Sequence, residues 1–282
     1  MFPDSTKSKY FADDAKMYSQ IKSNADLDQF QNSLDVLSDW ANLWQLCISV
    51  NKCCTVNIST NNKPSLGLSH CNSLANVDIN NVYQTRDLGV EVDSKLKFTA
   101  HIAKIVSSAK QRTSLLFRAF LTREVKFLII GYKSYILPLV EYCSPIWSPH
   151  SVCNILLLEC GQRRFTKRIP GLEYMSYEDR LKILGMITLE RRRLHSDLVF
   201  CFKLLNGLIG NAPENYGLVL SSRKSRGNSF KLANENPRID ARKYFFSSRV
   251  CEPWNSLPDS VVLIESVKTF KRQLFTLILT NF

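Results

Sequence analysis

An α+β architecture in which helices predominate follows from three features of this 282-residue chain. Short β-rich stretches are confined to the first 93 residues, whereas the remainder carries long runs with apolar residues three and four apart. Apolar content is 45%, enough to fill a core at this length. Charge divides at the same place: residues 1–93 hold 7 Lys+Arg against 11 Asp+Glu, net −4, and residues 94–282 hold 30 against 14, net +16. The two parts are expected to differ in role. A positive surface of that size either keeps the chain soluble or concentrates polyanions, of which nucleic acid is the commonest inside cells.

The first β-rich stretch is interrupted by acids. Lys9-Tyr10-Phe11-Ala12-Asp13-Asp14-Ala15-Lys16-Met17-Tyr18 places apolar residues on both sides of two adjacent carboxylates. Neighbouring side chains of a strand point to opposite faces, but at a chain reversal both can turn toward one cation. Carboxylate oxygens suit Mg²⁺, and a pair of such ions stabilises both the attacking and the leaving oxygen of a phosphoryl displacement. A solvated turn is the ordinary alternative for an Asp-Asp pair. Asp26 with Gln29 three residues on marks a helix start. Leu27, Phe30, Leu34, Leu37, Ala41 and Trp44 then line one face for about five turns. That face is expected to lie on a sheet, because residues 53–58 are β-rich and close in a turn at 60–64, with further strands at 77–79 and 82–92.

These segments resemble, in order and spacing, the reverse transcriptases of non-LTR (LINE-type) retrotransposons, nearest the jockey group. Phe11-Ala12-Asp13-Asp14 looks like the [YF]-A-D-D catalytic box of the polymerase palm. Leu37, Trp40 and Trp44 running into Asn51-Lys52-Cys53 resemble the family's L-x-x-W-x-x-x-W and K-C, and Asp87-Leu88-Gly89-Val90 its primer-grip hairpin. The resemblance implies that residues 1–93 form a residual palm, a small antiparallel sheet with one helix. Asp13 and Asp14 would bind the catalytic Mg²⁺. Lys52 would sit near the incoming triphosphate, acting electrostatically or as a general acid to the departing pyrophosphate; a surface lysine ahead of a buried Cys53 is the alternative. Leu88, Gly89 and Val90 would press on the primer end. Ala15 departs from the Thr common after the box. The family's metal site also takes a carboxylate from an earlier palm strand, and only Asp4 precedes the box, too near to fill that place. The active site is therefore expected to be incomplete, without the fingers or the endonuclease of such elements.

In the basic part, Phe98, Ile102, Ile105, Ala109, Leu116 and Phe120 keep helical spacing while Lys104, Lys110, Arg112 and Arg118 fall elsewhere on the helix. This stretch is similar to the thumb helix that lies along the template-primer duplex, where contacts go to phosphates and carry no sequence information. A solvated face is the other reading of those cations. A second, largely apolar helix is expected from near Thr122, mostly buried until Pro138 bends or ends it. Residues 135–147 then match the family's P-x-x-E-Y-x-S-x-x-W, whose chemistry is packing. Residues 158–167 match L-E-x-x-Q-R-R-x-T-K. On a helix Arg163 shares a face with Lys167, and Arg164 with Arg168, with no acid between them, so they repel unless a polyanion neutralises them. These four are the leading nucleic-acid patch, Arg191-Arg192-Arg193 a second candidate, and a solvated face or internal ion pairs the alternative for each. Residues 94–209 thus read as a helical thumb and connection region and 210–243 as an exposed linker or loop. Residues 244–282 form a helical end in which Trp254-Asn255-Ser256-Leu257-Pro258 is again similar to the family.

Other chemistries find little support. The nine cysteines are scattered, not framework-like, and read as free thiols, mostly buried. Cys143, His150, Cys153 and Cys160 lack the spacing of a zinc knuckle. No apolar run approaches a membrane span, no secretory signal opens the chain, and no phosphate-cradling glycine loop occurs. An intracellular location, nuclear or cytoplasmic, follows as an expectation. The expected function is that of the C-terminal palm and thumb of an RNA-directed DNA polymerase, taking an RNA template, a DNA primer, deoxynucleotides and Mg²⁺ in the intact enzyme. It is expected to be inactive alone. A non-catalytic nucleic-acid-binding or interaction protein derived from such an element is the alternative.

Overall fold

A computed structural model describes residues 5–59, 72–120, 122–210, 212–222, 228–234 and 237–281. Asp4 and the turn expected at 60–64 lie outside the described residues. The protein is α+β and mostly helical, and it divides into two compact units, Met1–Leu96 and Lys97–Phe282.

The first unit opens with an antiparallel hairpin, β1 (Thr6–Phe11) and β2 (Asp14–Ser19), followed by α1 (Asn24–Leu43). The helix starts earlier than Asp26–Gln29 predicts. Ser23 is the N-cap and Asp26 closes the capping box, accepting from the backbone N–H groups of Lys22 and Ser23 at 2.8 Å each. Those hydrogen bonds hold the Asp26 carboxyl below its ordinary range. Four short pieces follow: β3 (Cys54–Thr55), β4 (Ser73–Leu74), β5 (Val77–Asp78) and β6 (Asn80–Asn81). A second hairpin, β7 (Gln84–Asp87) and β8 (Val90–Asp93), ends the unit. The described strands pair two by two, β3 with β6 in parallel, and form no continuous sheet. This limits what α1 can bury. Leu34 packs with Leu74 and Ile79, joined by Met17, Phe30, Ile48, Val50 and Cys53, whereas Trp40, Leu43 and Trp44 stay exposed. The expected seat on a sheet is thus only partly realised, and Trp44, which the spacing places on the buried face, is 65% exposed.

The second unit begins with α2 (Thr99–Ala119), which buries Ile102, Ile105, Val106, Ala109, Leu116 and Phe117. Next come α3 (Val125–Gly131), a π-helical turn (Tyr132–Ile136) and α4 (Leu137–Glu141). Of the two outcomes expected at Pro138, a bend or an end, the helix does not end there. The π turn resets the register, and Pro138 then lies in the first turn of α4, where a missing N–H is tolerated. Against the expected burial of this stretch, Phe127, Ile130 and Tyr135 are exposed while Leu128, Tyr132 and Ile136 are buried. Gly131 precedes this turn for a packing reason: a Cβ there would meet Leu116 Cδ1 at 2.5 Å. Gly131→Ala is expected to destabilise by about 1–3 kcal/mol through overpacking, read as a lower urea midpoint at unchanged slope.

After α5 (Ser144–Trp147) and α6 (Val152–Lys167) come α7 (Tyr177–Leu184) and α8 (Leu189–Leu205), then α9 (Asp240–Lys243), α10 (Phe246–Asn255), α11 (Asp259–Val262) and α12 (Val267–Asn281). Leu198, Cys201 and Phe202 of α8 share one core with Val250 and Trp254 of α10 and Phe270, Leu274 and Ile278 of α12. The C-terminal helices therefore share a core with α8. Parts of 210–243 pack in, as a loop with ordered segments and not as an exposed linker. Leu218 and Leu232 are 2% and 3% exposed, Leu220 bridges Leu232, and the Asn255 side chain donates to the Leu232 carbonyl at 2.9 Å. The cysteines correct another expectation. Of the described ones only Cys201 and Cys251 are buried, while Cys47, Cys54, Cys153 and Cys160 are exposed. Among the described residues no helix is long and apolar enough to cross a membrane.

Candidate functional site

The two acids sit where a chain reversal can present them. Phe11 pairs with Asp14, so Ala12 and Asp13 alone form the turn, and Ala12 takes a left-handed φ of 51°. Both carboxylates are exposed, flanked by Tyr10 and Phe11 at 60% and 64% exposure. The hairpin is held from below. Ser33 donates from Oγ to Thr6 Oγ1 at 2.9 Å, and Met17 packs on the cluster under α1.

The Asp87-Leu88-Gly89-Val90 segment is the second tight reversal. Asp87 pairs with Val90, and Leu88 and Gly89 have φ of 44° and 91°. Two successive positive φ values match the right-handed twist of a hairpin, which Gly89 accommodates and Leu88 does at a cost of about 1–2 kcal/mol. The strained Leu88 side chain is 45% exposed. An ion pair from Lys16 to Asp87 ties the first hairpin to the second. Lys52 ends a short 3₁₀ turn, Val50–Lys52, and is exposed beside half-buried Cys53. No hydrogen bond or ion pair links it to Asp13 or Asp14 among the described residues.

A magnesium site asks for more than this. Among the described residues no group of three or more His, Cys, Asp or Glu side chains is placed to hold a metal. Two exposed, adjacent carboxylates supply too few hard ligands for tight binding. Cys143, His150, Cys153 and Cys160 also form no such group, and His150 instead stacks on Tyr244 at 3.9 Å.

The basic candidates sort into two kinds. On α2, Lys104, Arg112 and Arg118 are exposed and Lys110 is half-buried, with Arg112 Nη1 donating to the Tyr135 carbonyl at 2.9 Å. On α6 and just beyond it, Arg163, Arg164, Lys167 and Arg168 are all exposed. Arg163 lies over the Tyr177 ring at 4.9 Å and Arg168 over the Phe117 ring at 4.2 Å. Arg123 reaches the same Phe117 ring at 5.7 Å and donates to the Phe117 carbonyl at 2.7 Å. Partial burial, then the neighbouring cations Arg164 and Arg123, lower the pKa of Arg168. No carboxylate pairs with Arg123, Arg164 or Arg168 among the described residues. Arg123 escapes a sequence reading because it joins this cluster through space from the α2–α3 connection.

The Arg191–Arg193 triplet is not a surface patch. Arg192 pairs with Glu141, and Arg193 is 3% exposed among Glu159, Glu190 and Asp197. The polar motif residues of this unit are likewise internal. Glu159 accepts from the Tyr177 hydroxyl and from Leu189 N–H, and burial still raises its carboxyl pKa against those bonds. Gln162 accepts from Tyr132 Oη at 3.0 Å and donates to Tyr177 Oη and the Ile187 carbonyl. Trp147 Nε1 donates to the Tyr142 carbonyl at 2.7 Å, and Trp254 Nε1 to the Phe230 carbonyl at 2.9 Å.

No family model and no solved structure matches this chain. Among curated proteins it is similar to an uncharacterized protein of Caenorhabditis elegans, 28% identical over 127 residues, which are 44% of this chain and 64% of that protein. The chain spans a little under two thirds of the length of this relative.

Proposed function

We propose that these 282 residues are the palm and thumb portion of an RNA-directed DNA polymerase of the non-LTR retrotransposon type. The observation that carries this reading is the pairing of two tight hairpin tips. Asp13 and Asp14 stand at one and Leu88-Gly89 at the other, and Lys16 bonds to Asp87 between them. In such an enzyme the first tip would present carboxylates to a metal and the second a firm apolar edge to a primer end. Among the described residues no third carboxylate joins Asp13 and Asp14, and on this reading the chain alone binds nucleic acid without extending it. No catalytic step is assigned to this chain alone.

A second reading, a non-catalytic nucleic-acid-binding protein built on the same elements, is supported by the arginine cluster. Arg123, Arg164 and Arg168 converge without a carboxylate partner among the described residues, an arrangement that a phosphate backbone relieves. Two assays separate the readings. RNA-templated primer extension with Mg²⁺ is expected to yield no product from this chain, and robust extension would overturn the claim of an incomplete site. Extension restored by adding a polypeptide with the fingers and early palm strands of such an enzyme supports the polymerase reading, and failure of such mixtures beside intact duplex binding favours the second.

A further inference from the structure

A cavity of about 430 Å³ opens in the second unit, within the range of about 300–1,000 Å³ common to small-molecule sites. Its lining divides by chemistry. Leu137, Met186 and Phe275 are apolar, and Lys133, Arg192 and Glu141 are charged. Gln162 also lines the cavity, but its amide is already occupied by Tyr132, Tyr177 and Ile187. The polar groups that remain open to a ligand are therefore cationic. Arg192 donates from Nε and Nη2 to Glu141, which leaves Nη1 without a hydrogen bond among the described residues, and Lys133 is exposed with no ion-pair partner among them. Two cations against one carboxylate leave a single positive charge. That balance suits a singly charged anion with an apolar body. Lys133 also lies on the π-helical turn, a feature frequent at functional sites.

We infer that this cavity seats one unstacked nucleotide of a single strand, with its base against Phe275, Met186 and Leu137 and its phosphodiester on Lys133 and Arg192. The inference rests on the nucleic-acid reading above. A phosphodiester carries the one negative charge the lining lacks, whereas a free nucleotide monoester carries nearer two. Continuity points the same way. Gln162 of the cavity wall precedes Arg163 and Arg164, and the Tyr177 hydroxyl that bonds Gln162 belongs to the ring beneath Arg163. A strand running along the basic end of α6 therefore passes beside the cavity. Stacking on an aromatic ring is tolerant of sequence, so the site takes any base.

The test compares a 12-nucleotide thymidine strand with the same backbone lacking bases, by fluorescence anisotropy across a salt series. Wild-type protein is expected to prefer the base-bearing strand by at least about fivefold. Phe275→Ala removes a side chain that is 36% exposed, so the fold should survive, as circular dichroism can check. It is expected to abolish that preference while leaving affinity for the base-free strand unchanged. Lys133→Ala is expected to weaken both strands and to lower the salt slope by about 0.7. An undiminished preference in Phe275→Ala, with steep salt dependence retained, overturns the cavity assignment and leaves the nucleic-acid reading standing. Absence of salt-sensitive binding to either strand overturns both. Phe275-dependent binding of thymidine monophosphate without any strand preference assigns the cavity to a free nucleotide and overturns the inference.

Discussion

Arg249→Ala is expected to destabilise the second unit by about 3–5 kcal/mol, because it strands a buried carboxylate. Arg249 meets Asp197 through two hydrogen bonds, at 2.9 and 3.1 Å, and the Asp197 side chain is 5% exposed. The same guanidinium donates to the Pro145 carbonyl at 2.8 Å and the Tyr244 carbonyl at 3.1 Å, so one side chain joins α5, α8 and α10. Burial raises the Asp197 carboxyl, and Arg249 pulls it back down. Without Arg249 the folded-state pKa rises further above the unfolded value. An acid raised on folding contributes stability that is fully present below its unfolded pKa and is lost as pH rises through its folded pKa. The deficit of Arg249→Ala is therefore expected to be largest near pH 7 and to shrink toward about pH 4, near the unfolded Asp value. The double variant Asp197→Asn, Arg249→Ala should recover part of the loss at pH 7. Urea titrations at the two pH values decide it, and a deficit independent of pH would show that Asp197 is not the stranded group.

The second large effect concerns binding. Arg164→Gln with Arg168→Gln removes two cations that have no acid partner among the described residues. If each neutralises one phosphate of a duplex, the slope of log affinity against log salt becomes shallower by about 0.9 per residue, about 1.8 for the pair. Affinity is expected to fall by about tenfold or more at low salt, since each contact to phosphate is charge-assisted. Stability should change little or improve, because the pair relieves repulsion around Arg168. Arg191→Gln, from the triplet in which Arg192 is paired with Glu141 and Arg193 is buried, serves as a control with a smaller effect on the slope. An unchanged slope in the double variant would remove the arginine cluster from the interface.

Much of the local structure is legible in the sequence because it depends on near neighbours. The Asp-Asp reversal and the predominance of helices in residues 94–209 and 244–282 follow from spacing and turn chemistry, and the Leu88-Gly89 turn from the resemblance. What periodicity cannot supply is the partner across the gap. It places Trp44 on the apolar face of α1, but the strands present there are too short to cover it. It treats Arg191, Arg192 and Arg193 alike, although Glu141 and Asp197, distant in sequence or a helical turn away, draw two of them inward. It reads 210–243 from composition as a linker, whereas Leu218 and Leu232 find places in a core assembled from α8, α10 and α12. In the same way Arg123 joins Arg164 and Arg168 only through the shared ring of Phe117.

The central claim is that the two hairpin tips address the 3′ end of a primer. A DNA primer ending in a photoreactive 4-thiothymidine, annealed to an RNA template and irradiated with the protein, tests this when the adducts are mapped by mass spectrometry. Adducts are expected on residues 11–14 and 87–90, diminished by Leu88→Gly and unaffected by Arg164→Gln once the complex is saturated. Adducts confined to the helices of the second unit, with none at either tip, would contradict it.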